Sequence, residues 1–288
     1  MTNSRISAIQ RQFNRSSISY DTHAHVQRTM ADQLVKSLIG WKNKGFIDEP
    51  KILEIGCGTG ALTQMVVKEW PSAYITALDV APEMIKIAVK RVLSAEDHLG
   101  TGNSTSDRIR FIHADIERWA ADAPTSSFDI IVSNACFQWL SNPEETLGHL
   151  QRMLRTGGLL IFTTFGPDTF SEMHRSFIEV YRAFGMEPQR HGLSFHSPLQ
   201  WKFILDISGF SSFNYNRSIH IEKYASARDL LHSVKAMGAS ASEAVTMKGH
   251  SLRRLFTNMY KEYEEKFGIQ GGVVTTYDLL IIQSSKNC

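Results

Sequence analysis

Apolar residues along the chain follow two rhythms that change places more than once. Met30, Leu34 and Leu38 recur at every fourth position with Ala31 and Val35 beside them, which makes one apolar stripe on a helix. Gly45 and the acidic turn up to Pro50 end that helix. Short apolar runs follow at 51–55, 73–79, 109–113, 128–133 and 159–164, separated by helical stretches or loops. This alternation predicts βαβ units and a mostly parallel sheet. Residues 96–107, rich in Gly, Ser, Thr and Asp, read as a solvated loop inserted before the third strand.

Beyond Gly166-Pro167 the strand rhythm breaks. Helical segments are predicted at 168–184, 198–208 and 226–237, as a lid over the C-terminal edge of the sheet. Two late β-like runs, 213–222 and 273–283, flank a helix carrying Leu252, Leu255, Phe256, Met259, Tyr260, Tyr263 and Phe267 at helical spacing. The expected organisation is an N-terminal helical segment over the site (1–45) and a Rossmann-like core (46–166). A helical lid or substrate region with an intervening core strand (167–240) and a C-terminal helix and antiparallel strand (241–288) complete it.

Composition narrows the class without naming a partner. An apolar fraction of 42%, a charged fraction of 21% and a net charge of +2 exclude a disordered chain and argue against bulk nucleic-acid binding. Cys57, Cys136 and Cys288 have no paired spacing, so neither a disulfide framework nor a zinc ribbon is expected. Residues 1–17 are polar and basic, and no apolar run is long enough to cross a bilayer, so a cytoplasmic protein without membrane contact is expected. His174, His191, His196, His220 and His232 are scattered without ligand spacing, and no metal site is expected.

The candidate chemistry begins where the first strand ends, in Glu54-Ile55-Gly56-Cys57-Gly58-Thr59-Gly60. Glycines accept positive φ and have no side chain to hold a ligand away, so this turn can lie against a cofactor. Gly56, Gly58 and Ala61 also fit the dinucleotide pattern G-x-G-x-x-G/A, and the glycines alone leave the cofactor open. Asp79, at the end of the second strand, is placed to accept both hydroxyls of a ribose, which both candidate cofactors contain.

With Glu54 two residues before the first glycine, His113-Ala114-Asp115-Ile116-Glu117 after the third strand and Ser133-Asn134-Ala135 after the fourth, the ensemble resembles the class I methyltransferase signature. The resemblance implies an α/β, Rossmann-like, seven-stranded sheet and S-adenosylmethionine as methyl donor, leaving as S-adenosylhomocysteine. Gly56, Gly58 and Gly60 would then pass beneath the methionine part and Asp79 would bind the ribose. Met84 would cover the adenine, Asp115 and Ile116 would flank it, and Asn134 would lie near the methionine amine; Glu54, Cys57 and Val80 complete the expected cofactor-binding set.

Four further stretches are more specific. They are Phe13 with Tyr20 to Arg28, Asn134 with Gln138-Trp139, Phe162 to Pro167 with Glu172-Met173-His174, and Ser233 to Ala239 with Thr276-Tyr277. Over nearly the whole chain these resemble the malonyl-acyl-carrier-protein O-methyltransferases of the biotin pathway. That family methylates the free carboxylate of a malonyl thioester, which implies an acyl carrier protein, or coenzyme A, as the carrier. A carboxylate is already an anion at neutral pH, so no general base is required. Tyr20, His174 and Lys235 are the expected positioning residues, with Arg175, Arg182 and Arg228 as competing anchors. Arg175, Arg182, Arg190, Lys202 and Arg228 are candidate points for an acidic carrier. The rivals are a methyltransferase for another small carboxylate such as an aconitate-like acid, a silent S-adenosylmethionine-binding scaffold and, more remotely, an NAD-linked dehydrogenase.

Overall fold

Five crossover connections and a long return strand build the sheet in a computed structural model that describes residues 2–42, 47–96, 107–238 and 250–287. The turn at Gly45, most of the loop at 96–107 and Ala239 lie outside these residues. Strands β1 (Lys51–Ile55), β2 (Tyr74–Asp79), β3 (Ile109–His113), β4 (Phe128–Asn134) and β5 (Leu154–Phe165) are parallel. β6 (Asn214–Tyr224), the two-residue β7 (Gly268–Ile269) and β8 (Gly272–Ser285) complete an eight-stranded sheet. The order is β3-β2-β1-β4-β5-β8-β6, with β7 paired to β8 off this path. β8 is antiparallel to both β5 and β6. The direction of strand succession reverses between β1 and β4, which opens a crevice at their carboxyl ends.

Alternation in the strands sorts side chains to two cores. Leu53, Ile55, Ile131 and Phe162 face one side, under α6 (Ile116–Asp122), α7 (Pro143–Met153) and α9 (Pro198–Ile207). Ile52, Ile75, Ile130 and Ile161 face the other, under α3 (His25–Lys42) and α4 (Ala61–Glu69), where the predicted stripe of Leu34 and Leu38 is buried. The helix expected at 198–208 is α9, and it does not join a lid. Trp201, Ile204 and Leu205 sit in the first core, with the Trp201 ring edge-on to Phe162 at 5.1 Å.

β8 outruns its neighbour. Phe165, the last residue of β5, pairs with Leu279, so residues 273–278 of β8 and their partners in β6 project past the carboxyl edge of the parallel strands. The helices α8 (Ser171–Ala183), α10 (Ala227–Ala236) and α11 (His250–Phe267) bury Phe177, Tyr181, Leu230, Leu255, Met259 and Tyr263 around this projection. Buried Glu172 fastens α8 to it, accepting from the Thr276 N–H at 3.0 Å and the Thr276 hydroxyl at 2.5 Å. Packed on α10 through His23 and Ser233, 3.2 Å apart, α2 (Tyr20–His23) joins α1 (Thr2–Ser16) and the start of α3 across the crevice, and α5 (Pro82–Glu96) flanks β2 and β3.

Candidate active site

All three glycines of the turn after β1 hold a left-handed φ, and at two of them a Cβ would also clash. Gly56 has φ +71°, and a Cβ there would meet Cys136 Sγ at 2.5 Å. Gly58, at φ +54°, donates its N–H to Asp79 Oδ2 at 2.8 Å. At Gly60, φ +82°, a Cβ would lie 2.8 Å from Ala88 Cα, so this glycine sets how closely α4 meets α5. Gly60 therefore serves packing and lines none of the cavities described below, whereas Gly56 and Gly58 form cavity wall.

A chamber whose empty space, counted with the solvent at its mouth, is about 740 Å³ lies over the carboxyl ends of β1, β2 and β4. The sequence reading expects the methyl donor there, and the space is called the donor chamber for that expectation. It collects Gly56, Gly58, Asp79, Val80, Met84, Asp115, Ile116 and Asn134 from strand ends far apart in sequence. Asp79 is 8% exposed; its Oδ1 accepts from the Ala81 N–H at 2.8 Å. Burial raises its pKa while the Ala81 and Gly58 N–H groups oppose the rise. Asp115 caps α6 by accepting from the Glu117 N–H at 3.1 Å. The lining includes the carboxylates of Asp79, Asp115 and Glu117 but, among the described residues, no lysine, arginine or histidine. Burial pushes the neighbouring Cys136 thiol up to about 12, which leaves it an uncharged wall.

Beneath the glycine turn a narrower cleft continues from this chamber, sharing Tyr20, Gly56, Gly58 and Asn134 with it and adding Glu54, Cys57, Thr59 and Gln27. Glu54 is 1% exposed, and burial raises its pKa to about 8, opposed in part by the polar neighbour Thr63. Glu54 Oε2 and Gln27 Oε1 are buried acceptors with no hydrogen-bond partner among the described residues. Asn134 Nδ2 donates to the Gln27 carbonyl at 3.0 Å, and Asn134 Oδ1 accepts from Thr163 Oγ1 at 2.6 Å.

An acceptor chamber opens beyond Trp139, a residue that also lines the donor chamber. Its empty volume is about 1650 Å³ and it too is open to solvent. Phe165, Phe170, Phe177, Phe256, Tyr260 and Tyr277 dominate the walls. His191, with its pKa lowered by burial, stacks on Phe177 at 3.9 Å and lies 2.9 Å from the Tyr181 hydroxyl. Lys235 and Arg228 reach the lining from exposed positions on α10, and among the described residues no carboxylate lines the chamber.

Of the three expected positioning residues, the structure brings Tyr20 to the donor chamber and Lys235 to the acceptor chamber, while His174 on α8 lines neither. Burial, with Asp79 and Asp21 nearby, raises the Tyr20 phenol, so it stays protonated and can donate. Arg228 lines the acceptor chamber; Arg175, Arg182, Arg190 and Lys202 do not. Arg182 pairs with Glu179 and Lys202 with Asp206.

The sequence reading expected an N-terminal helical segment over the site and singled out Phe13, but it did not name Ile6 or Ile9. Ile6, Ile9 and Phe13 line the donor chamber, and Phe13 lies edge-on to Trp139 at 5.5 Å. Their spacing of three and four is the helical signal that would have added the two isoleucines. Asp21 ties this N-terminal segment down, accepting from the Thr59 hydroxyl at 2.8 Å and pairing with Arg91.

The methyltransferase-domain family matches residues 22–213, which span β1 to β5 and the strand-end residues of the donor chamber, though not its α1 and Tyr20 walls. Malonyl-[acyl-carrier protein] O-methyltransferase from Paenibacillus sp. (strain JDR-2) is 56% identical over 276 residues, 96% of this chain and 97% of that protein. The chain belongs to this family of methyltransferases. Proteins of the same description from Halalkalibacterium halodurans and Brevibacillus brevis are 38% and 37% identical over 95% and 96% of the chain, covering 96% and 95% of their own lengths.

Among solved structures, the YcgJ protein of Bacillus subtilis superposes with a TM-score of 0.58 at 15% identity, over 89% of this chain and 99% of its own. Phosphoethanolamine N-methyltransferase 2 of Haemonchus contortus, solved with S-adenosyl-L-methionine, gives 0.51 at 17% identity over 88% of this chain and 52% of its own. Both share the fold. Family membership thus joins the seven-strand path and the antiparallel β8 that the sequence predicted. No helix among the described residues is long and apolar enough to cross a membrane.

Proposed function

We propose that the chain methylates the free carboxylate of a malonyl thioester on acyl carrier protein, using S-adenosylmethionine, to give the methyl ester that primes pimelate and biotin synthesis. One observation carries this reading: two chambers of opposite electrostatic character meet at Trp139. The carboxylate-lined chamber suits a sulfonium cation, and it would repel the pyrophosphate of a dinucleotide. The second chamber, with cations at its edge and no carboxylate among its described lining residues, suits an anionic acceptor.

The residues present fit the donor. Met84 and Ile116 offer apolar surface for an adenine, Asp79 stands at a wall as a ribose acceptor, and Glu54 Oε2 and Gln27 Oε1 are unpartnered acceptors for an ammonium. When bound, this cofactor supplies an electrophilic methyl group on a positively charged sulfur and leaves as a neutral thioether.

The chain's contribution is position. A malonyl carboxylate, with a reference pKa near ~4, arrives ionised, so one oxygen can form the O–CH₃ bond as the S–CH₃ bond breaks, with no proton to remove. Phe13, Trp139 and Leu140 give the junction apolar walls, and alignment there provides the entropic part of the acceleration. The protonated Tyr20 hydroxyl is a hydrogen-bond donor on the methyl-donor side. The aromatic acceptor chamber is far larger than a small free diacid needs and can take the apolar arm of a carrier thioester.

Arg228 and Lys235 are the docking points for an acidic carrier in this proposal. A cytoplasmic setting is part of it, in keeping with the free thiols of Cys57 and Cys136. Methyl transfer from labelled S-adenosylmethionine to malonyl-carrier protein, malonyl-CoA and free dicarboxylates tests it. Label in an ester of the malonyl thioester is the expected result; label only in free dicarboxylates, or in no acceptor, overturns it.

A further inference from the structure

Gln27 is the third residue of α3 and belongs to two spaces at once, the acceptor chamber and the cleft beneath the glycine turn. Its backbone is fixed. The Gln27 carbonyl accepts from Asn134 at the end of β4, and the flanking Val26 and Met30 are buried against Phe165, Tyr277 and Leu279. Its side chain is not fixed in the same way: Oε1 is buried and has no hydrogen-bond partner among the described residues. Leaving a buried acceptor unmade is costly, and a ligand donor at that place would remove the cost. Glu54 Oε2, unpartnered and lining the same cleft, is the second acceptor at that place.

We propose that the Gln27 amide bridges the two substrates, its oxygen accepting from the ammonium of the methyl donor and its nitrogen donating to the malonyl carboxylate. This rests on the function proposed above. The residue type follows from the charges on either side. An ammonium needs an acceptor and a carboxylate needs a donor, and a neutral primary amide offers both from one planar group. A carboxylate at position 27 would serve the ammonium and repel the acceptor, and an apolar side chain would serve neither. Because each ligand orients the amide for the other, the two bind with positive and reciprocal coupling.

The experiment is calorimetry of S-adenosylhomocysteine with the full-length protein, alone and with malonyl-pantetheine, which forms a dead-end complex with that product. Wild type, Gln27→Glu and Gln27→Met are compared, with KM for malonyl-carrier protein measured alongside. In wild type, malonyl-pantetheine tightens S-adenosylhomocysteine by roughly threefold to tenfold. Gln27→Glu keeps S-adenosylhomocysteine affinity within about threefold while KM for the malonyl substrate rises at least about tenfold and the coupling vanishes. Gln27→Met weakens S-adenosylhomocysteine by about tenfold and also abolishes coupling.

Retained cofactor affinity in Gln27→Glu itself shows an intact fold, and thermal unfolding checks Gln27→Met. Wild-type affinity, KM and coupling in Gln27→Met overturn the proposal, as does a Gln27→Glu protein that binds the malonyl thioester as well as wild type does. If wild type fails to methylate malonyl thioesters, the function proposed above falls, while the S-adenosylhomocysteine measurements still decide the donor half of the bridge.

Discussion

The donor chamber and the acceptor chamber share Trp139 yet are held in different ways. The first is mostly backbone: the Gly56 and Cys57 N–H groups both donate to the Leu78 carbonyl, at 2.8 and 3.0 Å, and Asp79 caps Gly58 and Ala81. The second is side-chain packing, aromatic rings from α8, α11 and β8 around a projecting pair of strands. A backbone-built site tolerates almost no change, while a packed aromatic wall should yield by degrees.

The sharpest way to break that contrast is Asp79→Leu. It strips the donor chamber of one carboxylate and leaves the Gly58 and Ala81 N–H groups without acceptors. The expected loss in S-adenosylhomocysteine affinity is about 100-fold, equivalent to roughly 3 kcal/mol. Calorimetry that finds less than about a fivefold loss would contradict a backbone-defined donor seat.

Trp139→Ala tests whether the chambers are truly joined. The ring is 9% exposed and packs on Phe13, so its removal opens the shared wall. kcat/KM on malonyl-carrier protein should fall about 30-fold, with both S-adenosylhomocysteine affinity and malonyl KM worsening. A change confined to one substrate would mean that the two spaces act independently.

The same contrast explains what could be read from sequence. Glu54, Gly56, Gly58, Asp79, Asp115 and Asn134 are local signals, each at a strand end whose apolar run announces it, so their convergence follows once the strands are parallel. The acceptor chamber has no such punctuation. Phe165, Phe177, Phe256 and Tyr277 look like ordinary core in their own helices and strands, and only the overhang of β8 past Phe165 turns them toward one space. α9 misled for a related reason: its capping box at Ser197 and Gln200 announces a helix but not the sheet face that buries it. Glycine spacing likewise could not separate Gly60, which packs on Ala88, from Gly56 and Gly58.

Glu54 offers a finer probe, through pH. Its folded pKa of about 8 lies above the ordinary 4.5, so its contribution to stability is complete below about pH 4.5 and is lost as pH rises through about 8. The empty protein should therefore melt lower at about pH 8.5 than at pH 6, and Glu54→Gln should flatten that slope. Binding runs the other way. An incoming ammonium favours the carboxylate, so S-adenosylhomocysteine affinity should rise toward pH 8, by at most about tenfold per unit, with proton release visible in buffers of different ionisation enthalpy. An affinity independent of pH between about 6 and 8 in wild type would detach Glu54 from the donor seat.

The smallest effect belongs to the rim of the acceptor chamber. Lys235 and Arg228 are exposed, and solvent screens what they contribute to any charged partner. Lys235→Met, alone or with Arg228→Met, should raise KM for malonyl-carrier protein about threefold to fivefold at low salt and less at high salt, with kcat unchanged. Lys202→Met is the control, since Lys202 pairs with Asp206 on α9 and lies outside the chamber lining. If the two rim variants lowered kcat instead, with KM and its salt dependence preserved, Lys235 and Arg228 would act on the reacting carboxylate. The acceptor side would then be as tightly organised as the donor side.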